Sequence, residues 1–340
     1  MASILELFST KEVLNYQQNR QYPALLGETL FPEVKKQSLE FDMIKGGNAL
    51  PVVASVHAFD TEAEIGSREA SKMAIELALV KRKMQLKEKD IIAIEQPRNA
   101  AEQQYLMSQV YNDIDVLTAG VRARIEAMRM EVLSTGKVTL DENGLDMVVD
   151  YGVPAANKEA LSGTGLWTAE TADPIEDLMR WADSLSARPT RALTSTAVLS
   201  ALLRHPKIVG ALFGRDSMRV ATRNDLNAFM QQHDLPTIAV YDAQYRKQEK
   251  NGTYTKHRYL PKNSFVMFGD GQLGETLYGP TPEENRLVRD PAVQEQQIGK
   301  VLAMVYEENL DPVSTWTKAV ATAMPSFPAA DEVFQAQPIL

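Results

Sequence analysis

The sequence contains no cysteine and only four histidines among its 340 residues. Without thiols it can form neither disulfides nor thiolate metal sites, and it has no cysteine nucleophile. No two histidines have the spacing of metal ligands, and no Gly-x-Ser-x-Gly elbow marks a serine nucleophile. We therefore predict no catalytic residue, no metal site and no cofactor, and expect each histidine to lie at the surface or to cap a helix.

Long apolar runs and dense basic clusters are also missing. Nowhere do about twenty apolar residues follow one another, which is the length needed to cross a membrane. The N-terminus lacks the basic region and apolar run of a secretory signal. With 36 basic and 45 acidic residues the net charge is −9, whereas proteins that grip nucleic acid carry clustered Lys and Arg. These features predict a soluble intracellular protein without a membrane or nucleic-acid site.

One glycine motif suggests a cofactor. Residues 269–274 have the G-x-G-x-x-G spacing that lets a backbone wrap a dinucleotide pyrophosphate, and they follow the apolar run 264–268. A dinucleotide fold also needs a helix that opens at the last glycine, but Pro280 and Pro282 interrupt the residues that follow. We therefore favour a turn after an edge strand. A nucleotide-dependent oxidoreductase that uses Gly269–Gly274 remains the alternative function.

The clearest secondary-structure signal is a long helix. Apolar residues recur in steps of three and four between Leu106 and Val132, which predicts an amphipathic helix from about Arg98 to Ser134 that ends at Gly136. At 1.5 Å per residue it would be on the order of 55 Å long. A coiled-coil adaptor built on residues 98–134 is the alternative, although the pattern lasts only about four heptads.

The N-terminal region looks unable to fold alone. A capping box at Ser9 opens a short helix through about Asn19, and short apolar pieces among prolines and glycines then indicate an extended arm with short strands. Such an arm cannot bury its own apolar residues. The residues that need another surface, such as another chain, are Leu25, Leu30, Phe31, Leu39 and Phe41.

Residues 51–95 have a charged centre, Thr61 to Lys72, between more apolar flanks. Two strands that reach out to a charged tip fit this pattern. A helix over Ala70–Lys83 fits nearly as well, because its residues favour helices. The tip carries both signs and can pair with complementary charges on a neighbouring subunit; the candidate contacts are Glu64, Arg68, Glu69 and Lys72.

The rest of the chain mixes helices and strands. Asn143-Gly144 and Asn251-Gly252 predict hairpins with type I′ turns. A helix should begin at Asp173-Pro174, and a later helix should end at Pro206. Because helices and strands do not alternate regularly, the pattern predicts an α+β protein.

The order of these parts resembles the major capsid proteins of tailed phages, in particular the family typified by the phage lambda head protein. The similarity runs from about residue 9 to 337. Its opening helix, arm, end of the long helix, hairpin with following strand, and C-terminal strand are carried by "LFSTKEVLNYQQN", "LFPEVKKQSLEFDMIKG", "MRMEVLSTGKVTL", "KNGTYTKHRYLPKNSFVMFG" and "AMPSFPAADEVFQAQ".

The resemblance implies a four-part subunit. Residues 1–50 would be an N-terminal arm and 51–95 an extended loop that overlies a neighbour. The peripheral domain, with the long "spine" helix, would comprise residues 96–160 and 300–340, and the axial α/β domain residues 161–299. This is the α+β fold of tailed-phage capsid proteins.

The resemblance also implies the function. Such proteins assemble as pentamers and hexamers into an icosahedral shell that encloses phage DNA without sequence-specific binding, and they are not enzymes. The implied partners are copies of the chain, a scaffold protein, a portal protein and a decoration protein, with no membrane. The implied location is the virion, and the host cytoplasm during assembly. A nanocompartment shell protein of the same fold is the other reading.

Overall fold

The computed structural model describes residues 4–45, 56, 71–214, 217, 219–288, 298–308 and 314–340, with the backbone alone at 44, 45, 71 and 72. Its helices are α1 (Ile4–Leu7), α2 (Thr10–Asn19), α3 (Leu26–Leu30), α4 (Glu88–Glu95), α5 (Ala100–Thr135), α6 (Pro174–Ser184), α7 (Thr196–Arg204), α8 (Pro206–Phe213), α9 (Arg223–Gln232) and α10 (Pro282–Leu287).

Its strands are β1 (Glu33–Lys35), β2 (Glu40–Lys45), β3 (Ser71–Glu76), β4 (Ala78–Leu86), β5 (Lys137–Glu142), β6 (Leu145–Asp150), β7 (Lys158–Ala160), β8 (Arg191–Thr194), β9 (Thr237–Val240), β10 (Gln244–Gln248), β11 (Tyr254–Arg258), β12 (Phe265–Phe268), β13 (Thr276–Gly279), β14 (Leu302–Glu308), β15 (Ser314–Pro325) and β16 (Phe334–Gln337). This mixture of helices and strands confirms the predicted α+β class.

The predicted long helix is confirmed as α5, which has 36 residues. It begins where the Asn99 side chain accepts a hydrogen bond from the Glu102 backbone N–H at 2.8 Å. It ends at Gly136, whose φ of 75° lies in the left-handed region that a side chain disfavours. Most of the predicted apolar positions, from Val110 to Val132, are buried.

A first sheet packs against α5 around the central strand β15. β4 pairs with one edge of β15, and β14 and β13 pair with the other edge in succession. β1 then joins β13 in parallel, so the arm contributes a strand to this sheet. Because side chains alternate along a strand, Ala319 and Ala321 enter the main core while Val320 enters a small core on the opposite face.

A second sheet has the order β7-β16-β12-β8-β9 and is covered by α6 to α9. Its core contains Trp167 and Trp181, whose rings stack at 5.3 Å, and Phe334 of the C-terminal strand, which stacks on Trp181 at 5.3 Å. The C-terminal strand β16 therefore belongs to the second sheet, whereas β15 belongs to the first.

Three two-stranded ribbons complete the described structure: β2–β3, β5–β6 and β10–β11. In the β5–β6 ribbon, Asn143 (φ 54°) and Gly144 (φ 84°) make the predicted type I′ turn. The turn of the β10–β11 ribbon was predicted wrongly, since of its Asn-Gly pair only Gly252 has a positive φ. The Asn251 side chain instead accepts a hydrogen bond from the Thr253 backbone at 3.0 Å, within a longer loop.

The open choice over residues 70–83 is settled in favour of strands. β3 pairs with β2, and β4 pairs with β15 from Ala78 to Leu86. The helix alternative is wrong because pairing with a central strand outweighs the helix propensity of Ala, Leu and Lys. Pro206 does end a helix, but it also begins α8, since proline fits the first turn of a helix.

Candidate assembly surface

A buried charged pair on α5 holds the N-terminal arm on its own subunit at α3 (Leu26–Leu30). Glu126 and Arg129, 0% and 1% exposed, lie 3.3 Å apart. The Glu126 carboxylate also accepts hydrogen bonds from the Gly27 backbone N–H at 2.8 Å and from the Tyr241 hydroxyl at 2.9 Å. Glycine at residue 27 leaves room for this contact, because a Cβ would lie 2.4 Å from the Glu126 carboxylate and would displace it. The pair thus fixes the arm at α3.

Glu33 extends this network at the arm's first strand. Its carboxylate accepts hydrogen bonds from Arg129 at 2.8 Å, from the Tyr278 hydroxyl at 2.8 Å and from Lys300 at 3.0 Å. Burial disfavours the ionised carboxylate, but the three donors outweigh burial and hold the pKa of Glu33 below its usual range. Glu33 therefore remains ionised in its partly buried position and ties the arm to both α5 and the first sheet.

Residues 16–22 of the arm contact the same helix at Asp115. Its carboxylate accepts hydrogen bonds from the hydroxyls of Tyr16 at 2.9 Å and Tyr22 at 3.0 Å, and it pairs with Arg20 at 3.0 Å. Burial raises the pKa of Tyr22 to about 12, and the Asp115 carboxylate adds to the rise. These contacts hold the described arm along α5 of its own subunit.

Two of the predicted inter-subunit residues are buried within the chain itself. Leu30 is 3% exposed and Phe31 0%, with the Phe31 ring 5.9 Å from that of Phe327. As predicted, the arm does not bury them by itself: they belong to the main core, which the rest of the chain supplies, so their burial does not require another subunit. Phe41 is half-buried in β2, and the neighbouring Leu39 remains 50% exposed. Of the predicted apolar residues of the arm, Leu39 is therefore the one that stays largely exposed.

Of the four charged residues predicted to contact a neighbour, the structure describes only the backbone of Lys72. Lys72 lies in β3, where its backbone pairs opposite Ile44 of β2. Glu64, Arg68 and Glu69 lie outside the described residues. The β2–β3 ribbon thus leads into the charged segment, whose pairing with a neighbour stays a prediction.

The glycine motif at 269–274 connects the two sheets and lacks the surroundings of a dinucleotide site. β12 is antiparallel to both of its neighbours, β8 and β16, so it is a central strand and the predicted edge position is wrong. The chain enters β13 directly after the motif, where a dinucleotide fold would open a helix. A Cβ on Gly274 would lie 2.1 Å from the Ser326 carbonyl oxygen. This glycine therefore permits close packing of two backbone segments.

His205 has a structural role at a helix end, as the sequence predicted. His205 is buried and caps α8, where its Nδ1 accepts a hydrogen bond from the Lys207 backbone at 3.3 Å. In the part of the chain that the structure describes, no group of three His, Asp or Glu side chains could hold a metal ion. Among the same residues, no helix is long and apolar enough to span a membrane.

The sequence reading missed the buried pair Glu126–Arg129. Opposite charges three residues apart are also typical of a solvated helix face, so their spacing alone does not reveal burial. Most residues of α5 near its C-terminal end, from Ile125 to Ser134, are buried, and the arm covers one of its faces where Gly27 contacts Glu126.

Two solved structures share this architecture along nearly their whole length. A protein assigned as a prophage capsid protein of E. coli CFT073 is 15% identical, with a TM-score of 0.64 over 97% of this chain and 99% of that chain. A phage-related protein from Bordetella bronchiseptica RB50 is 15% identical, with a TM-score of 0.55 over 96% of each chain. The long helix, the two sheets and the ribbons thus define the fold of tailed-phage capsid proteins.

The family follows from the sequence itself. The model of the family described as phage major capsid protein E matches residues 9–337. The chain therefore belongs to the phage major capsid protein E family, as its resemblance to the phage lambda head protein implied, and it is a structural protein of the phage capsid. No curated protein matches the sequence.

Proposed function

We propose that this chain assembles as pentamers and hexamers into an icosahedral shell around phage DNA and has no catalytic activity. The observation that carries the proposal is the family match over residues 9–337, nearly the whole chain. The shell would be a component of the virion, assembled in the host cytoplasm with a scaffold protein and a portal protein. A decoration protein would bind its outer surface.

The proposed division of the subunit follows the sequence boundaries: arm 1–50, extended loop 51–95, peripheral domain 96–160 with 300–340, and axial domain 161–299. The first sheet and α5 support the peripheral domain, and the core around Trp167 and Trp181 supports the axial domain. Three strands pair across these boundaries: β7 and β16, from the proposed peripheral segments, belong to the second sheet, and β13, from the proposed axial segment, belongs to the first.

In this proposal, contacts between subunits begin where the arm leaves its own subunit. Leu39 is exposed and Phe41 is half-buried beside the β2–β3 ribbon, which leads to the charged segment containing Glu64, Arg68, Glu69 and Lys72. Charges of both signs on a short excursion suit pairing with a neighbour's charges. Reversing Arg68 and Lys72 together to Glu should therefore impair assembly more than folding of the unassembled subunit. Unchanged assembly would exclude these residues as contacts.

Negative-stain electron microscopy tests the proposed function directly. The protein, alone or co-expressed with its scaffold, should form closed shells of uniform size. A species that stays monomeric under all conditions would contradict the proposal. Shells that enclose a cargo enzyme in place of DNA would support the nanocompartment reading, whereas shells that retain DNA would support the phage head.

A further inference from the structure

The β10–β11 ribbon is a basic surface on an acidic protein. Between Gln244 and Arg258 the chain carries five basic residues and one acidic residue, Glu249, whereas the whole chain has a net charge of −9. Nearly all of the ribbon's side chains are exposed. The basic residues are Arg246, Lys247, Lys250, Lys256 and Arg258.

Two of these positive charges lie directly opposite each other. Arg246 and Lys256 are paired across the ribbon, and both are exposed. The Arg246 guanidinium lies 5.5 Å from the ring of Tyr254, itself 56% exposed. Within the described residues, neither Arg246 nor Lys256 forms an ion pair with an acid. Like charges directly opposite each other destabilise a pair of strands, so this arrangement is unfavourable in the isolated subunit.

The β5–β6 ribbon carries the complementary pattern. Asp141 and Asp146 are paired across this ribbon, and both are exposed. They too have no cationic partner in the described part of the chain. Val148, on the same face of the ribbon, is 56% exposed. Each ribbon thus combines an unneutralised pair of like charges with one exposed side chain that is largely apolar, Tyr254 or Val148.

The two ribbons of one subunit do not neutralise each other at these positions. They are joined by the ion pair of Lys247 with Glu142 at 2.7 Å, and Glu142 also lies 3.6 Å from Arg124. That contact uses neither of the opposed pairs. Acidic partners for Arg246 and Lys256, and basic partners for Asp141 and Asp146, would therefore have to come from a second molecule.

We propose that the basic ribbon β10–β11 of one copy docks on the acidic ribbon β5–β6 of the adjacent copy in the shell. This inference rests on the proposed function, because it names a contact by which copies of the chain would join. The contact joins two different surfaces, and such head-to-tail contacts generate closed rings when the rotation between copies closes. Tyr254 would meet Val148, which shares a face of the β5–β6 ribbon with Asp141 and Asp146, with the charges around it.

A second copy fits the observations better than nucleic acid does. A nucleic acid would neutralise Arg246 and Lys256 but would leave Asp141 and Asp146 opposed. Acidic groups also lie close to the basic ribbon, since Arg258 pairs with Asp242 and Lys247 with Glu142. These carboxylates would repel a phosphate backbone. The β5–β6 ribbon of a second copy instead presents the acidic pair Asp141–Asp146 to the basic pair Arg246–Lys256.

Charge exchange tests the contact. One variant carries Asp141→Lys with Asp146→Lys, a second carries Arg246→Glu with Lys256→Glu, and a third combines all four changes. Each double variant keeps like charges opposite each other, so the stability of the unassembled subunit should equal that of the wild type. The control matched to the second variant, Arg223→Glu with Lys262→Glu, makes that variant's change of net charge at exposed positions outside both ribbons.

Assembly is followed by light scattering at low salt and by negative-stain microscopy. We expect each double variant to assemble about tenfold more slowly or worse, because steering charges set association rates. The combined variant should return to the wild-type rate and the control should remain there. Normal assembly of both double variants, or no recovery in the combined variant, would overturn the inference. So would normal shells of the R246E/K256E variant that fail to retain DNA, since that result assigns the ribbon to nucleic acid.

A mixing experiment separates this inference from the proposed function. The D141K/D146K variant has a basic opposed pair on both ribbons, and the R246E/K256E variant has an acidic opposed pair on both. In sedimentation velocity each should fail to self-associate, while an equal mixture should associate and should dissociate as salt screens the charges. This outcome supports the contact even if the wild type forms no closed shell. A mixture that stays unassociated while wild-type shells form would refute the contact and leave the proposed function intact.

Discussion

Replacing Arg129 by Met tests whether the buried pair on α5 holds the arm. The guanidinium is 1% exposed and donates to Thr276 at 2.7 Å, Glu33 at 2.8 Å and Glu126 at 3.3 Å. Met preserves much of the apolar stem of Arg, so the loss of packing is small. The variant therefore removes mainly one buried positive charge and the hydrogen bonds that it makes.

The expected loss of unfolding free energy in the Arg129→Met variant depends on the partners that Glu126 keeps. Its carboxylate, 0% exposed, keeps the Gly27 N–H and the Tyr241 hydroxyl as donors but loses its 3.3 Å counter-charge. Removing one partner of a buried pair costs on the order of 3–5 kcal/mol. Because two donors remain, we expect about 3 kcal/mol, at the lower end of that range.

Urea unfolding of the unassembled subunit measures this loss. Lys137→Met is the matched control, because Lys137 pairs with Asp150 at 2.9 Å but both side chains are nearly half exposed. The control should cost less than about 1 kcal/mol. Combining Arg129→Met with Glu126→Gln should recover part of the loss, since no carboxylate then stays buried at residue 126 without a counter-charge. If Arg129→Met lowers the unfolding free energy no more than the control does, the Glu126–Arg129 pair does not hold the arm.

Three further predictions concern single positions. Gly274→Ala should cost about 3 kcal/mol by overpacking against the Ser326 carbonyl, whereas Gly269→Ala, with open space around its Cβ, should change the unfolding free energy by less than about 0.5 kcal/mol; equal effects would contradict the packing role of residue 274. Gly136→Ala should cost about 1–2 kcal/mol or more in urea unfolding, because its φ is +75°. The lowered pKa of Glu33 means that its ionised form stabilises the fold above the ordinary glutamate pKa of about 4.3 and loses this effect as the pH falls through the folded-state pKa. Glu33→Gln should therefore flatten the acid side of the pH–stability curve, and an unchanged slope would contradict this account.

The long helix could be predicted from the sequence because every signal for it is local. Apolar steps of three and four, the cap at Asn99 and the stop at Gly136 all lie within the segment itself. The capping box at Ser9 and the hairpin at Asn143-Gly144 are local in the same sense. Local signals of this kind do not depend on which distant segment packs against them.

The burial of the arm could not be predicted in this way. Leu30 and Phe31 are buried in the main core, where Phe31 packs against Phe327, which lies about three hundred residues further along the chain. The strand β4 has residues that favour a helix, and only its register with β15 makes it a strand. The basic ribbon was also overlooked, because the net charge of −9 averages over a cluster at 246–258. Composition excludes a uniformly basic protein but not a basic ribbon.

The burial of Leu30 and Phe31 within their own subunit limits which groups can drive assembly. A subunit that buried Leu30 and Phe31 only on a neighbour would expose them before assembly, and exposed apolar patches promote aggregation. Because the chain itself buries both residues, we expect assembly to use exposed groups, such as Leu39, the charged segment and the two opposed ribbons. Exposed charge pairs contribute up to about 1 kcal/mol each and weaken with salt. A shell held by many such contacts should therefore assemble reversibly at low salt, and its first joined subunits should separate as salt increases.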